Sequence, residues 1–499
     1  MFKGIVLFGP PASGKTTIGK NIAAILSNME FNEASTSIIY PLVNKPIPDN
    51  FDDINLTATI DNIDRTTARN IYSALVEKHG DNIIGRIIDK LFQNTIIAGV
   101  RGFENAKYLY QKGYLVVYLY APIEILVQRN STLSDINAEE LLYSTSKIAQ
   151  YTNLSFDTTT FSINYITDFI TKLFTSKECR TCVNIDFNLA TPIGDNGLCI
   201  ICNNYQNNFN SETSDNELQF IKSFITNKKY DVMVGMSGGK DSSVTAYKLL
   251  ELGFTPIGFT FDIGYYPEHI MFRAAAIAKT LNIDHEIINI KNTVTNDNRQ
   301  SYRLTYELYS QPYSEELSKQ FREIYMENRR HYSVKYTTPM PYIRSCQLCR
   351  KTVIPAYYRE AVKRGISLVV LGINEWTALS QQSGKFMVSG IRRLQPEPDL
   401  PVVYIVHLPF LLRLSRLEMK SVLDKIGWQK PNGEEFIESN CNSCLFAAAT
   451  MDKARHMLGF NPDITRLSRE VTVGFITKDE AKQALLRNCN AGLDKTKLI

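Results

Sequence analysis

Short apolar runs alternate with helically spaced stretches along most of this chain. Gly4–Phe8, Thr95–Val100 and Leu115–Tyr120 are runs of the kind formed by strands buried on both faces of a parallel sheet. Glu104–Gly113, between the last two, repeats apolar residues at helical spacing and stops on glycine. The alternation resumes after residue 230, with strands predicted at Asp231–Met236, Thr255–Asp262, Ile283–Ile290, Ser367–Ile373 and Val402–Val406. The helical and polar region from about 295 to 340, with Tyr332, Tyr336 and Tyr342, reads as an insertion over the active face. Asn203–Asn216, rich in Asn, Ser and Glu, reads as a linker. The pattern predicts two α/β units with doubly wound parallel sheets. The expected division is 1–177, a cysteine-rich segment 178–205, a linker 206–228, and 229–499.

Composition adds bounds to this picture. A chain of 499 residues exceeds a single hydrophobic core, and 44% hydrophobic with 21% charged residues is ordinary for globular domains. A net charge of +4 gives no support for a broad nucleic-acid footprint. No apolar run reaches the roughly 18 residues of a membrane span. The first apolar stretch runs into glycine without a basic lead, so no signal peptide is expected, and a cytoplasmic location is. Eight of the nine cysteines form four C-x-x-C pairs and only Cys489 stands alone. In a reducing compartment this pairing points to metal or redox chemistry.

Gly9-Pro10-Pro11-Ala12-Ser13-Gly14-Lys15-Thr16 follows the first apolar run and precedes a helical stretch from Thr17 to Leu26. Glycines at both ends let backbone amides wrap an anion at a helix N-terminus. Gly9, Gly14, Lys15, Thr16 and Thr17 are the expected phosphate-binding residues, with Lys15 on the β and γ phosphates of ATP and Thr16 on Mg²⁺. The region resembles small-molecule and nucleotide kinases of the P-loop class. That resemblance makes Arg129 a lid arginine and Arg101 a candidate for holding the phosphate acceptor. Gly99-Val100-Arg101 stands where many relatives carry an acidic residue, so no general base is identified from sequence.

Cys179-x-x-Cys182, sixteen residues, and Cys199-x-x-Cys202 have the spacing of a tetrathiolate Zn²⁺ ribbon. Asp195-Asn196-Gly197 supplies the turn between the knuckles. Four thiolates leave no open position, so this metal is expected to be structural.

Ser237-Gly238-Gly239-Lys240-Asp241-Ser242-Ser243 follows the strand Asp231–Met236. Bare glycine amides and serine hydroxyls can wrap a pyrophosphate, with Lys240 and Asp241 placed for charge and Mg²⁺. Asp262, at the end of the next strand, is on the ligand side expected of such sheets. The loop resembles that of ATP pyrophosphatases, which cut ATP between the α and β phosphates. From Cys179 onward the chain resembles bacterial N-acetyl sugar amidotransferases. The resemblance rests on the ribbon, Tyr230-Asp231, the SGGKDS loop, the Cys346–Cys349 pair leading into Ala361-Val362 and Gly372-Ile373-Asn374, and then Leu467-Ser468-Arg469 and Gly474–Ala481. It implies adenylation of a substrate oxygen, which ammonia then displaces.

Cys346/Cys349 and Cys441/Cys444 resemble the cysteine pairs of tRNA 2-thiocytidine synthetases. That resemblance implies a 4Fe-4S (iron–sulfur) cluster on Cys346, Cys349 and Cys441, with Cys444 as an alternative ligand. A second closed zinc site and persulfide-carrying thiols are the rival readings. Arg329-Arg330-His331-Tyr332 reads as an exposed helix end.

The expectation is therefore a bifunctional ATP-dependent enzyme, kinase-like at its N-terminus and amido- or thiotransferase-like beyond the ribbon. Its acceptor is expected to be a small molecule rather than tRNA, with ammonia or sulfur supplied by a partner protein and no membrane involved. Alternatives are an iron–sulfur tRNA or nucleobase thiolase and a non-catalytic nucleotide-sensing regulator.

Overall fold

The computed structural model describes residues 2–56, 63–130, 147–148, 151–226, 228–331, 338–382, 384–429 and 444–486. Two compact units emerge. The first comprises 1–177 together with 312–322 and 455–460, and the second comprises 178–311, 323–454 and 461–499.

The first unit holds a five-stranded sheet ordered β2-β3-β1-β4-β5, and each neighbouring pair is parallel. These strands are β1 (Ile5–Phe8), β2 (Phe31–Glu33), β3 (Ile96–Ala98), β4 (Leu115–Tyr120) and β5 (Leu154–Asp157). All four residues of β1 are fully buried, as a central strand requires. The helix Lys15–Ile25 buries Ile18, Gly19 and Ile22. Its packing explains why the loop before it is held at the carboxyl end of the sheet. Two later stretches complete this unit: Tyr165 donates to Ser318 at 2.8 Å, and Arg455 donates to the Tyr110 hydroxyl at 2.9 Å.

The second unit holds a six-stranded sheet ordered β12-β13-β9-β6-β7-β8. Five of these strands run parallel: β6 (Val232–Gly235), β7 (Pro256–Asp262), β8 (His285–Asn289), β9 (Leu368–Leu371) and β13 (Val403–His407). β12 (Ile391–Leu394) is an antiparallel edge on β13. A hairpin of β10 (Ala378–Gln382) and β11 (Lys385–Ser389) stands apart from the sheet.

Two expectations need correction. The segment read as a linker is largely helical, with helices Ile200–Asn208 and Ser211–Lys222. Asn210 caps the second, accepting from the Glu212 amide at 2.9 Å, and Phe220 packs edge-on against Tyr404. The polar composition therefore supplies a cap, while buried Ile221, the Phe220–Tyr404 contact and the Glu217 bonds to Ser389 and Gly390 fix the helix. Tyr342 is buried in the core, its amide bonded to Thr305 at 3.0 Å, so it does not cover an active face. Tyr332 and Tyr336 lie outside the described residues, as do Cys441 and Cys489.

Candidate nucleotide and metal sites

In the first unit the phosphate loop joins β1 to the helix Lys15–Ile25, with Gly14 at its N-cap. Gly9 has φ of 141°, and a side chain there would collide with the Leu119 carbonyl oxygen. Lys15 donates to the Pro10 carbonyl at 2.5 Å and to the Ser13 hydroxyl at 3.4 Å. Burial, then the nearby Arg101, lowers Lys15 to about 8. An anion on the loop would offset both effects. Thr16, the first-turn hydroxyl, donates to Glu33 at 2.8 Å. Thr17 follows it as an exposed residue.

Glu33 is the acidic group that sequence reasoning missed. It sits at the carboxyl end of β2, a three-residue strand with too little apolar content to be recognised. Arg129 ends the helix Ile123–Arg129 and reaches back to the loop, donating to the Ala12 carbonyl at 3.4 Å and to Thr158 at 2.8 Å. The unit thus gathers Lys15, Thr16, Glu33, Arg101 and Arg129 around one turn of backbone.

In the second unit Ser237–Gly239 joins β6 to the helix Lys240–Glu251, whose N-cap is Gly239. Gly238 has φ of 67°, and a Cβ there would lie 2.6 Å from the Ala274 amide nitrogen of the helix Glu268–Thr280. The loop is braced from within. The Ser237 and Ser242 hydroxyls are 3.1 Å apart, and Ser243 donates to the Gly239 carbonyl at 2.9 Å. Trp428 donates to the Gly238 carbonyl at 3.0 Å, a brace with no sequence signature.

Lys240 and Asp241 form an ion pair at 2.6 Å. Asn374, just beyond β9, donates to the other Asp241 oxygen at 3.0 Å. The Asn374 amide oxygen is buried with no hydrogen-bond partner among the described residues. It is therefore a ready acceptor beside the loop. Gly372 makes this junction: a Cβ at that position would stand 2.7 Å from the Asp241 carbonyl and the Ser242 nitrogen. Asp262 accepts from the Gly264 amide at 2.8 Å, so it closes a local turn at the end of β7.

A cavity of about 200 Å³ in this unit is lined by Arg329, Arg344, Arg350, Glu375, Thr465, Arg466 and Arg469. Arg329 was expected on an exposed helix end, and the fold instead turns it into this cavity. Burial followed by the repulsion of Arg392 lowers Arg350 to about 10. Burial also raises the Glu375 carboxyl above its ordinary value, against the pull of Arg469 and Arg466.

The four ribbon sulfurs all lie within 4.8 Å of one another. The Cys179–Cys202 and Cys182–Cys199 separations are 3.7 and 3.5 Å. Tetrahedral Zn–S bonds of about 2.3 Å place sulfurs about 3.8 Å apart, so these residues fit one ion. The Cys199 amide donates to the Cys179 sulfur at 3.2 Å, and the Asn184 side chain to the Cys199 sulfur at 3.3 Å. Such bonds favour thiolates and orient them. Glu178 ties the ribbon to the helix Lys478–Leu485 through Lys478 at 2.6 Å and Lys482 at 3.0 Å.

Cys346 and Cys349 lie one turn apart in the helix Ser345–Lys363, and Cys444 directly precedes the helix Leu445–Leu458. Burial, followed by the neighbouring Cys444, raises Cys346 to about 11 and raises Cys349 as well. These three thiols are electrostatic neighbours, but as a set they are wider than the ribbon. Among the described residues only the ribbon brings three or more ligand atoms within 4.8 Å. No helix among the described residues is long and apolar enough to cross a membrane.

No family model matches the chain. A tRNA-specific 2-thiouridylase of Fusobacterium nucleatum subsp. nucleatum is 39% identical over 71 residues, taking in 13% of this chain and 19% of that protein. Among solved structures, shikimate kinase from Acinetobacter baumannii in complex with shikimate is 18% identical with a TM-score of 0.25. It matches over 35% of this chain and 93% of its own. The YorR protein from Bacillus subtilis, in complex with phosphorylated GDP, is 16% identical with a TM-score of 0.20. That match covers 34% of this chain and 95% of its own. These two structural likenesses add nothing to what the strand order already gives.

Proposed function

We propose that the second unit adenylates an oxygen on a small acceptor and that nitrogen or sulfur then replaces that oxygen. The observation that carries this reading is the Ser237–Ser243 loop, with glycine backbone at a helix N-terminus and Lys240, Asp241 and Asn374 bonded in a row beside it. Loop amides and Lys240 would hold the β and γ phosphates, and Asp241 would carry Mg²⁺ with Asn374 fixing its carboxylate. The acceptor oxygen attacks the α phosphorus, the bond to the bridging oxygen breaks, and pyrophosphate leaves. A nitrogen or sulfur nucleophile, delivered by a partner protein, then expels AMP. In the first unit, Lys15 would neutralise the transferred phosphoryl group while Thr16 and Glu33 bind Mg²⁺, giving an ATP-dependent small-molecule kinase.

The test is AMP formation with ammonium or sulfide added in turn. Stimulation by one of them, lost in Ser237→Ala, supports the reading and names the incoming atom. Turnover of ATP indifferent to Ser237→Ala would refute it.

A second reading is an iron–sulfur thiolase acting on tRNA or a nucleobase. It is favoured by the gathering of Cys346, Cys349 and Cys444 in a set wider than a single-ion site, and by the short stretch similar to a tRNA thiouridylase. A bound cluster would supply an iron open to sulfide. Anaerobic purification followed by iron and acid-labile sulfide analysis decides between the two. A second equivalent of zinc and no sulfide would leave the amidotransferase reading ahead.

A further inference from the structure

The glycines that let the second phosphate loop wrap an anion also leave its central peptide free to turn. Between Gly238 and Gly239 no Cβ resists rotation of the peptide plane. In a trans peptide the carbonyl and the amide N–H point in opposite directions. One orientation presents the Gly239 N–H to a phosphate, and the other presents the Gly238 carbonyl oxygen, which repels it. Contacts inside the loop choose weakly between them: the Gly239 amide reaches the Ser237 hydroxyl at 3.4 Å, long for an N–H···O bond. The choice is made from outside by Trp428, whose indole N–H donates to the Gly238 carbonyl at 3.0 Å.

The indole is itself held in place. The helix Arg416–Lys425 opens on a capping box, in which Ser415 and Glu418 bond reciprocally, and it buries Met419, Val422 and Leu423. Beyond its last turn Gly427 has φ of 65°. The Gly427 amide donates to the Asp424 carbonyl at 3.2 Å and the Trp428 amide to the Leu423 carbonyl at 2.9 Å. This pair of bonds fixes the direction of the chain at Trp428. Lys425 bonds the Tyr247 hydroxyl, which ties this helix to Lys240–Glu251, the helix that the loop opens. A helix anchored at both ends therefore delivers one N–H to one carbonyl of the loop.

We infer that Trp428 is a positioning residue for the pyrophosphate part of ATP. By holding the Gly238 carbonyl outward, it keeps the Gly239 N–H turned into the loop for a phosphate oxygen. This rests on the adenylating reading of the loop and adds the group that sets its central peptide. The indole acts through that peptide and touches no phosphate. The coupling runs both ways: an anion on the Gly239 N–H polarises the shared peptide and makes the Gly238 carbonyl a stronger acceptor for the indole. Trp428 therefore acts on the β and γ phosphates, and a nucleotide without them does not feel it.

Titration calorimetry with magnesium pyrophosphate tests this, in the full chain carrying Lys15→Ala to weaken the P-loop. Trp428→Phe keeps an aromatic ring and loses the donor. It should weaken pyrophosphate about two- to tenfold, the loss expected for one neutral hydrogen bond, and leave AMP binding as it was. A general loosening of the unit would weaken both. The chain has two tryptophans, Trp376 and Trp428, so a ¹⁵N-tryptophan spectrum holds two indole signals, and the one missing from Trp428→Phe is assigned to Trp428. Pyrophosphate should move that signal downfield. If Trp428→Phe loses ribbon zinc and does not fold, Trp376→Phe assigns the signal instead. Unchanged pyrophosphate affinity in folded Trp428→Phe would overturn the inference. So would equal weakening of AMP, or an indole signal that pyrophosphate leaves in place. AMP formation from ATP is followed separately. Pyrophosphate binding that depends on Trp428, without AMP formation, retains the brace and refutes the adenylating loop. AMP formation with pyrophosphate binding indifferent to Trp428 refutes the brace alone.

Discussion

Replacing Gly372 with alanine adds one methyl group where β9 meets the second phosphate loop. The backbone there lies outside the left-handed region, so alanine carries no conformational penalty and the effect is one of contact alone. The new Cβ would stand 2.7 Å from the Asp241 carbonyl carbon and oxygen and from the Ser242 nitrogen, where ordinary contact begins at 3.4 Å. Neither neighbour is a flexible side chain, so the start of the helix Lys240–Glu251 has to withdraw by about 0.7 Å. That movement breaks the 3.0 Å Asn374–Asp241 bond and turns Asp241 from its position. Overpacking of this kind costs about 1–3 kcal/mol of stability. Misplacement approaching 1 Å costs on the order of 100-fold in rate. The assay is AMP release from α-labelled ATP by Gly372→Ala, with far-UV circular dichroism and ribbon zinc content as measures of folding. A folded variant that makes AMP at the wild-type rate would refute the assignment of Asp241 and Asn374 to the working site.

In the P-loop unit, Lys15→Ala and Glu33→Gln should each lower phosphoryl transfer by at least about 100-fold and leave AMP formation unchanged; a panel of nucleosides, nucleotides and sugars with γ-labelled ATP reads this out. Cys179→Ser should remove one equivalent of zinc and lower the melting temperature, because metal binding here is folding energy; atomic absorption with thermal melts checks it, and unchanged zinc would sink the ribbon assignment. His407 is half-buried and donates its Nδ1–H to the Glu375 carbonyl at 2.7 Å, and burial lowers it from 6.5 to about 3. The unfolded chain therefore takes up this proton first, and stability present above pH 6.5 is lost as pH falls, by about 2 kcal/mol at pH 5. His407→Asn should flatten that part of the denaturation profile, and an unchanged slope would contradict it.

The central strands were legible because each is an apolar run buried on both faces, as in Ile5–Phe8 and Leu115–Tyr120. β2 is three residues long and ends in Asn32 and Glu33, and β5 has only four residues, so neither rises above the surrounding polarity. β12 carries Arg392 and Arg393 on an antiparallel edge, where one face is free to be polar. Both phosphate loops and the ribbon were legible because backbone geometry and ligand spacing write themselves into contiguous sequence. The arginine cavity was not. Its lining comes from residues 329, 344, 350, 375 and 465–469, and only the tertiary fold brings them together. Asn374 and Arg469 stood in recognisable motifs, but their partners, Asp241 and Glu375, are fixed by packing alone.

The central claim concerns which bond of ATP the second unit breaks. Phosphorus NMR of ATP turnover by the Lys15→Ala chain, in the presence of ammonium or sulfide and a pool of small-molecule acceptors, observes that bond directly. AMP and pyrophosphate are expected in equal amounts, both absent when Ser237→Ala is added. ADP with orthophosphate as the products would contradict it.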